Sequence, residues 1–214
     1  APSHFKALRQ LRRIHARREE WSTVLEIAQL EEAIPMPDYE RAAALAELGE
    51  TWRTQLGDVA QAVACFERAL ALDADQIDAL SGLARTREDQ QRHAEAAELW
   101  QAVVDRQRGP DRAAALVRLG RLLGGVLQEP ERASECYRRA LTDDPRSRDA
   151  VEALVQHAER TSQWPLLADL LERRFDLSAG ARSRTEIALP AARVPVDHLG
   201  NPAHARLWLD RARQ

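Results

Sequence analysis

The chain has 214 residues and a formal charge of −3, from 31 basic and 34 acidic residues. Proteins that bind polyanions in general carry a basic excess, so this balance argues against general nucleic-acid binding. Hydrophobic residues make up 44% of the chain but aromatic residues only 5%, so the apolar side chains are mostly Ala, Leu and Val, which favours helices.

The sequence shows neither a membrane segment nor a disulfide framework. No apolar run approaches the roughly 20 residues that span a bilayer, and no charged leader precedes a hydrophobic stretch at the N-terminus. Cys65 and Cys136 are too few and too far apart for a disulfide framework or a zinc site. We therefore expect no membrane insertion and a cytoplasmic location. Because the only methionine is Met36, the chain is expected to be a processed protein or a piece of a longer one, which leaves the periplasm open.

The first predicted element is a basic helix. The stretch KALRQLRRIHARR, residues 6–18, contains six basic residues and no acidic one. Lys6, Arg9, Arg13 and Arg17 are spaced by three or four residues, which places them on one helical face. One interpretation is a solvated face, because runs of charge on helices usually face water. The alternative is a binding surface.

A gapless internal repeat follows this helix. The stretch LGDVAQAVACFERALALD, residues 56–73, aligns with LQEPERASECYRRALTDD, residues 127–144, at a shift of 71 residues. Phe66 falls on Tyr137, and the alanines on either side of the ring also coincide. These alanines share a helical face with the ring, so they let a neighbouring helix approach while the ring fills the space between layers. A single copy cannot cover its apolar face, so the copies are expected to stack.

The repeated residues resemble those of the tetratricopeptide repeat, which has Leu-Gly and an aromatic residue on its first helix and Ala, an aromatic residue, Ala and Pro on its second. The matching residues are Leu48, Gly49, Trp52, Ala62, Phe66 and Ala69 in one copy, and Leu119, Gly120, Ala133, Tyr137, Ala140 and Pro145 in another. Weaker copies extend the resemblance over almost the whole chain. It implies an all-α, right-handed α-solenoid of about six repeats and about twelve antiparallel helices.

The repeats are predicted to form a single domain, residues 1–214, with approximate repeats at 5–34, 38–74, 76–109, 110–145, 147–177 and 181–214. Even-numbered copies carry one extra residue before the second helix, so long and short first helices are expected to alternate. In the irregular last copy, Pro190 and Pro195 fall inside the expected first helix, where a proline costs about 3 kcal/mol. We predict a broken or kinked helix between 181 and 198.

The resemblance also implies a binding groove, because tetratricopeptide repeats line an inner groove with particular first-helix positions. By register these positions are Lys6, Arg9, Arg13 and Arg17 in the first copy, continued by Arg53, Arg85 and Arg121. The fifth copy presents Asp149, Glu152 and Glu159 instead. The implied groove runs from basic to acidic and binds an acidic or mixed-charge peptide through arginine–carboxylate pairs.

No pattern of catalytic or cofactor-binding residues stands out. The sequence has no glycine-rich phosphate loop, no zinc-binding histidine pair and no nucleophile elbow. His93 with Glu95 and Glu98 is the nearest approach to an acid–base cluster, but it opens a second helix at a position that other copies use for packing. We therefore predict no enzyme activity, no cofactor and no metal.

The expected function is a non-enzymatic scaffold or adaptor that binds a protein or peptide partner in its groove. The resemblance is to the long arrays of bacterial proteins that organise signalling, motility or envelope assembly. An alternative is a structural module that self-assembles as a homo-oligomer, because Leu207, Trp208 and Leu209 are consecutive and no following helix exists to cover them. A weaker alternative, disfavoured by the net charge, is nucleic-acid binding through the basic N-terminal helix.

Overall fold

The structure, a computed structural model, describes residues 2–178 together with 187, 188, 191, 193, 194, 208 and 210. Within these residues all regular structure is helical: ten α-helices and one short π-helix. The predicted all-α fold is confirmed for this part of the chain. The sixth predicted repeat, including the break expected at Pro190 and Pro195, lies almost wholly outside the described residues.

The helices belong to two compact units, Ala1–Arg106 and Gln107–Gln214. The first unit contains α1 (Pro2–Arg17), α2 (Trp21–Glu32), α3 (Asp38–Thr51), the π-helix Trp52–Leu56, α4 (Val59–Leu72), α5 (Ile77–Asp89) and α6 (His93–Arg106). The second contains α7 (Gly109–Gly125), α8 (Pro130–Asp143), α9 (Arg148–Arg160) and α10 (Trp164–Asp176). Each of the first five predicted repeats contains two of these helices. The single continuous domain stays a prediction.

An aromatic ring packed against glycines joins successive helix pairs. Phe66 on α4 is fully buried, at 0% exposure. A Cβ atom on Gly49 of α3 would lie 2.7 Å from its Cε1, and one on Gly82 of α5 would lie 2.3 Å from its Cζ. Tyr137 on α8 has the same relation to Gly120 of α7, at 2.5 Å. The predicted packing of rings into spaces left by small residues is confirmed, and the closest of these small residues are glycines on the first helices.

The extra residue of even-numbered repeats lies inside the turn that ends the first helix. In the second repeat the N–H of Asp58 donates to the carbonyl of Trp52, six residues earlier, and Glu129 donates to Leu123 in the fourth. Gly57, at φ 69°, adopts the left-handed conformation that this turn requires. In the other three repeats the corresponding bond spans five residues: Glu20 to His15, Arg92 to Arg87, and Gln163 to Ala158.

Trp208 is part of the core of the second unit. Its side chain is 1% exposed, and its ring packs edge-on against Phe175 of α10, with 5.5 Å between ring centroids. Ile187 and Val194, which also follow α10 in the chain, are buried too. The prediction that Trp208 is left uncovered is therefore wrong. Its predicted interface neighbours, Leu207 and Leu209, lie outside the described residues.

Candidate functional site

In the first unit, the basic face of α1 meets a carboxylate from α3. Three guanidinium groups donate hydrogen bonds to Glu47: those of Arg9 at 2.6 Å, Arg12 at 3.0 Å and Arg13 at 2.5 Å. Arg12 also donates to Glu31 of α2, at 3.0 and 3.1 Å. We call these five residues the Glu47 cluster. Its arginines and carboxylates pair with one another, so much of the basic charge of α1 is already neutralised.

Burial shapes the charges of the Glu47 cluster. Arg12 is 3% exposed and Glu31 4% exposed. Burial raises the pKa of Glu31 above its ordinary value, against the opposing effect of Arg12. Burial acts in the same direction on Glu47, but hydrogen bonds from Arg9 and Arg13 outweigh it and hold the pKa of Glu47 below its ordinary value. Glu47 is therefore ionised at neutral pH.

A second carboxylate in the first unit, Glu50, engages two more of the predicted arginines. Arg53 donates to it at 2.8 and 3.1 Å and reaches Asp89 at 3.4 Å. Arg85 lies 3.7 Å from Glu50. Burial tends to raise the pKa of Glu50, but the hydrogen bond from Arg53 and the nearby charge of Arg85 keep it below the ordinary value. Arg53 and Arg85 are therefore paired inside the unit.

Lys6 and Arg17 differ from the other predicted groove residues of α1. Both are exposed, and neither forms an ion pair with a residue in the described part of the chain. They lie on opposite sides of the paired Arg9 and Arg13 along α1. The structure therefore does not gather the four predicted α1 residues into one free basic surface.

The seventh predicted residue, Arg121, lies in the second unit and lines a cavity of about 260 Å³ between α7, α8 and α9. The lining side chains are those of Arg121, Gly125, Tyr137, Ala153, Gln156, His157 and Arg160. We call this space the Arg121–Arg160 cavity. Its volume is large enough for a polar group of a bound peptide together with water.

Polar groups of the Arg121–Arg160 cavity have no ion-pair or hydrogen-bond partner among the residues that the structure describes. Neither Arg121 nor Arg160 forms an ion pair with any residue that the structure describes. His157 is 3% exposed, and its Nδ1 has no hydrogen-bond partner among those residues. Burial, together with the charges of Arg160 and Arg138, holds the pKa of His157 below its ordinary value. The imidazole is therefore mostly neutral at pH 7, beside two unpaired guanidinium groups.

Glycines of α7 create the space for this arrangement. A Cβ atom on Gly124 would lie 2.9 Å from Nη2 of Arg160 and 3.7 Å from Nδ1 of His157, so both groups approach the α7 backbone where no side chain stands. Gly120 makes the same room for the ring of Tyr137. A Cβ atom on Gly125 would meet nothing within 4 Å, and this residue leaves one side of the cavity open. Side chains at these positions would fill the site.

A tetratricopeptide-repeat family model matches residues 53–123. This range is about a third of the chain, and it includes the end of the first unit and the start of the second. No curated protein matches the sequence significantly. Solved structures similar to this chain include Pseudomonas aeruginosa pilF, with a TM-score of 0.72 and 18% identity over 98% of this chain and 92% of that one. The chain has the tetratricopeptide-repeat fold.

Two other solved structures show the same fold. MamA protein has a TM-score of 0.62 and 21% identity over 81% of this chain and 90% of that one. YrrB, whose structure is described as that of a TPR protein with an unusual peptide-binding site, has a TM-score of 0.61 and 15% identity over 80% of this chain and 84% of that one. At these identities the likeness shows the fold alone.

In tetratricopeptide-repeat register, Glu47 and Ala153 occupy the same position. Each directly precedes the repeat leucine, which is Leu48 in the second repeat and Leu154 in the fifth. Both positions lie on a first helix: Glu47 on α3 reaches α1 through its ion pairs, and Ala153 lies on α9, which packs against α7 and α8. This position therefore carries a carboxylate at the Glu47 cluster and only a methyl group at the Arg121–Arg160 cavity.

The acidic residues predicted to line the groove on α9 do not line this cavity. Ala153, Gln156, His157 and Arg160 line it instead of Asp149, Glu152 and Glu159. Glu152 pairs with Arg174 of α10 at 3.0 Å. Gln156 and Arg160 have the register of Arg13 and Arg17, whereas Asp149 and Glu152 lie nearer the start of α9, so the predicted change from a basic to an acidic groove stays a prediction.

Sequence reasoning did not identify five residues of these two sites: Arg12, Glu31, Glu47, His157 and Arg160. One usable signal is that Glu47 is the only acidic residue in the apolar stretch AAALAELG, because a carboxylate on a packing face needs a cationic partner. A second is the spacing of Gln156 and Arg160, which puts both on one face of α9. Neither signal names the partner.

Two other residues considered in the sequence, Glu95 and Cys65, lie in an ion pair and in the buried core. Glu95, in the predicted acid–base cluster with His93 and Glu98, pairs with Arg92 at 2.6 Å. Cys65 is buried, and burial raises the pKa of its thiol to about 11. A search of the described residues finds no group of three or more side chains suited to hold a metal ion, and none of the described helices has the length and apolar character to cross a bilayer.

Proposed function

We propose that this protein is a non-enzymatic scaffold that binds a segment of a partner protein. The observation that carries the proposal is the Arg121–Arg160 cavity, an open space between α7, α8 and α9 with polar groups that have no partner among the described residues. A buried polar atom without a partner costs free energy, which a bound group that completes its hydrogen bonds would recover. Tetratricopeptide-repeat proteins generally act by binding proteins or peptides, and the description of YrrB as peptide-binding supports the same role here.

We further propose that the scaffold serves a larger bacterial assembly, of the kind that organises signalling, motility or the cell envelope. The support is the resemblance of the repeats to long bacterial arrays, together with the fold shared with pilF of the bacterium Pseudomonas aeruginosa. Affinity would come from a few anchoring contacts at the cavity, with the rest of the surface providing complementarity. The cytoplasmic location expected from the sequence remains a prediction.

The two alternatives have less support. A self-assembling module was motivated by an uncovered Trp208, which is instead buried against Phe175. Nucleic-acid binding through α1 requires free basic side chains, whereas Arg9 and Arg13 pair with Glu47. We therefore favour a peptide partner.

The test is a fluorescence-anisotropy titration of the full chain into short labelled peptides of varied charge and apolar content. We expect a subset to bind saturably, and we expect Gly125→Leu to weaken that binding by about tenfold or more, because the new side chain enters the cavity. Val126→Leu is the matched control, since Val126 is the exposed next residue and does not line the cavity. Saturable binding that Gly125→Leu leaves unchanged, or no saturable binding by any peptide, would contradict the proposal.

A further inference from the structure

We propose that the Arg121–Arg160 cavity is an acidic-residue site, which binds neighbouring carboxylates of a partner segment at the place where the first unit uses its own Glu47. This inference rests on the proposed peptide-binding function and adds the chemistry of the bound group. It is carried by a comparison of equivalent positions, by the unpaired charges of the cavity and by the donors that line it.

The two sites contain residues at equivalent positions of the repeat. Arg13 and Arg121 each follow the repeat leucine of their own first helix by two residues. In the first unit, the partner of Arg13 is Glu47 on the next first helix, at 2.5 Å. The residue equivalent to Glu47 in the second unit is Ala153, which lines the cavity beside Arg121. Arg121 therefore has the register position of Arg13, but the next first helix places a methyl group where the first unit has a carboxylate.

The charge of the side chains that line the cavity favours an anionic ligand. The cavity is lined by two guanidinium groups and, among the described residues that line it, by no carboxylate. Arg121 and Arg160 both act on the hydroxyl of Tyr137, where burial raises the pKa against their opposing influence. Two unpaired positive charges beside a neutral, buried His157 favour a ligand that brings two negative charges. Neighbouring Glu or Asp side chains of a peptide carry that charge.

The hydrogen-bond donors that line the cavity also suit a carboxylate. Guanidinium groups match carboxylates with paired N–H donors, and the Gln156 amide can donate to the same ligand. The Nδ1 atom of His157 is unpartnered, and in the tautomer with its proton on Nδ1 it can donate to a carboxylate oxygen. The cavity thus offers several donors to an acceptor-only group. A basic or purely apolar segment would leave these donors unpaired.

The experiment compares labelled peptides with one Glu-Glu pair against the same peptides with Gln-Gln or with phosphoserine in place of the pair. We expect the Glu-Glu peptides to bind about tenfold more tightly than the Gln-Gln peptides, and Arg121→Ala or Arg160→Ala to remove most of that preference. Arg139→Ala, an exposed arginine of α8 that does not line the cavity, should leave it unchanged.

The decisive variant is Ala153→Glu, which places an internal carboxylate where Glu47 stands in the first unit. It should weaken Glu-Glu peptides by about tenfold or more, whereas Ala153→Gln, which adds the same bulk without charge, should weaken them much less. Circular dichroism of each variant checks that it is folded, and the two arginine variants give an independent readout if Ala153→Glu does not fold.

The results separate this inference from the proposed function. If peptides bind and Gly125→Leu blocks them, but Glu-Glu and Gln-Gln peptides bind equally or the two Ala153 variants behave alike, the acidic-residue site is wrong and the peptide-binding function stands. If only phosphoserine peptides bind through the cavity, carboxylate recognition is also wrong. If no peptide binds saturably, the proposed function itself fails.

Discussion

The Glu47 cluster and the Arg121–Arg160 cavity share two positions of the repeat register: Arg13 corresponds to Arg121, and Glu47 corresponds to Ala153. At the first site Glu47 accepts hydrogen bonds from three arginines. At the second, the equivalent residue is Ala153, and Arg121 and Arg160 have no ion pair among the described residues. The comparison shows that a basic residue on a first helix indicates a binding surface only when the next repeat does not provide its counterion.

The two sites also use burial differently. Both side chains of the Arg12–Glu31 ion pair are buried. Separating the two charges would therefore destabilise the fold, so the first site has a structural role. At the second site the buried polar group is a neutral imidazole with an unpartnered Nδ1, which tolerates the absence of a ligand at lower cost than a buried charge would. The first arrangement is suited to stability and the second to binding.

The largest predicted effect is on the first site. Arg12→Leu should lower the free energy of unfolding by about 3 kcal/mol, because it leaves Glu31 buried without its cationic partner. Urea unfolding followed by circular dichroism measures the change. Arg18→Leu is the control, since Arg18 is an exposed arginine next to the end of α1.

A double variant sharpens this prediction. Arg12→Leu combined with Glu31→Leu should recover most of the loss, because a buried apolar pair can replace a buried ion pair of similar volume. If the double variant is as unstable as the sum of the two single variants, the ion pair does not couple these residues. A cost of less than 1 kcal/mol for Arg12→Leu alone would contradict the structural role of the Glu47 cluster.

The next effect compares the ring–glycine packing of the two units. Gly82→Ala should cost about 2 kcal/mol, because Phe66 is held between Gly82 and Gly49 and cannot move away from the new methyl group. Gly120→Ala should cost about 1 kcal/mol or less, since Tyr137 borders the Arg121–Arg160 cavity and can shift towards it. Thermal unfolding of both variants tests this. Equal costs would show that the cavity gives the tyrosine no freedom.

The sequence was sufficient to predict the fold because repeated local patterns determine it. Phe66 and Tyr137 at a fixed shift, each with small residues on its face, specify stacked helix pairs. The single extra residue in even-numbered repeats was also visible in the sequence, and the structure assigns it to the turn closed by Asp58 and Trp52. These features depend on residues close together in the chain or on an exact internal repeat.

The candidate site was less predictable because it depends on pairs that are distant in sequence. The spacing of Arg9 and Arg13 predicted their shared face but not Glu47, which lies more than thirty residues away. On α9 the cavity is lined by Gln156 and Arg160, which have the register of Arg13 and Arg17, and the sequence alone does not show which turns of a helix face border a cavity. Trp208 was expected to be uncovered because the sequence does not show that it packs on Phe175.

A smaller effect on stability is expected when a carboxylate is added at the second site. Ala153→Glu should raise the free energy of unfolding by about 0.5–1 kcal/mol, because the new carboxylate pairs with Arg121 and Arg160. Ala153→Gln should give no such gain. The gain should shrink in high salt, which thermal unfolding at two salt concentrations would show. If Ala153→Glu is less stable than Ala153→Gln at low salt, the cavity does not provide the geometry of the first site.

The smallest effect concerns the pH dependence of the second site. Burial, then Arg160 and Arg138, lower the pKa of His157 below its ordinary value of 6.5, with Glu131 opposing them. The unfolded chain therefore binds the proton more readily, so the free energy of unfolding should fall as the pH drops through 6.5. The variant His157→Gln has no imidazole to protonate, so its free energy of unfolding should fall less than that of the native chain when the pH drops from about 7.5 to about 5.5.

The carboxylate introduced by Ala153→Glu should reduce the loss of stability that the native chain shows at low pH, because it stabilises the imidazolium that Arg160 disfavours. A difference in stability between the native chain and His157→Gln that stays constant with pH would mean that His157 keeps its ordinary pKa in the folded chain, so that burial and the charge of Arg160 do not lower it.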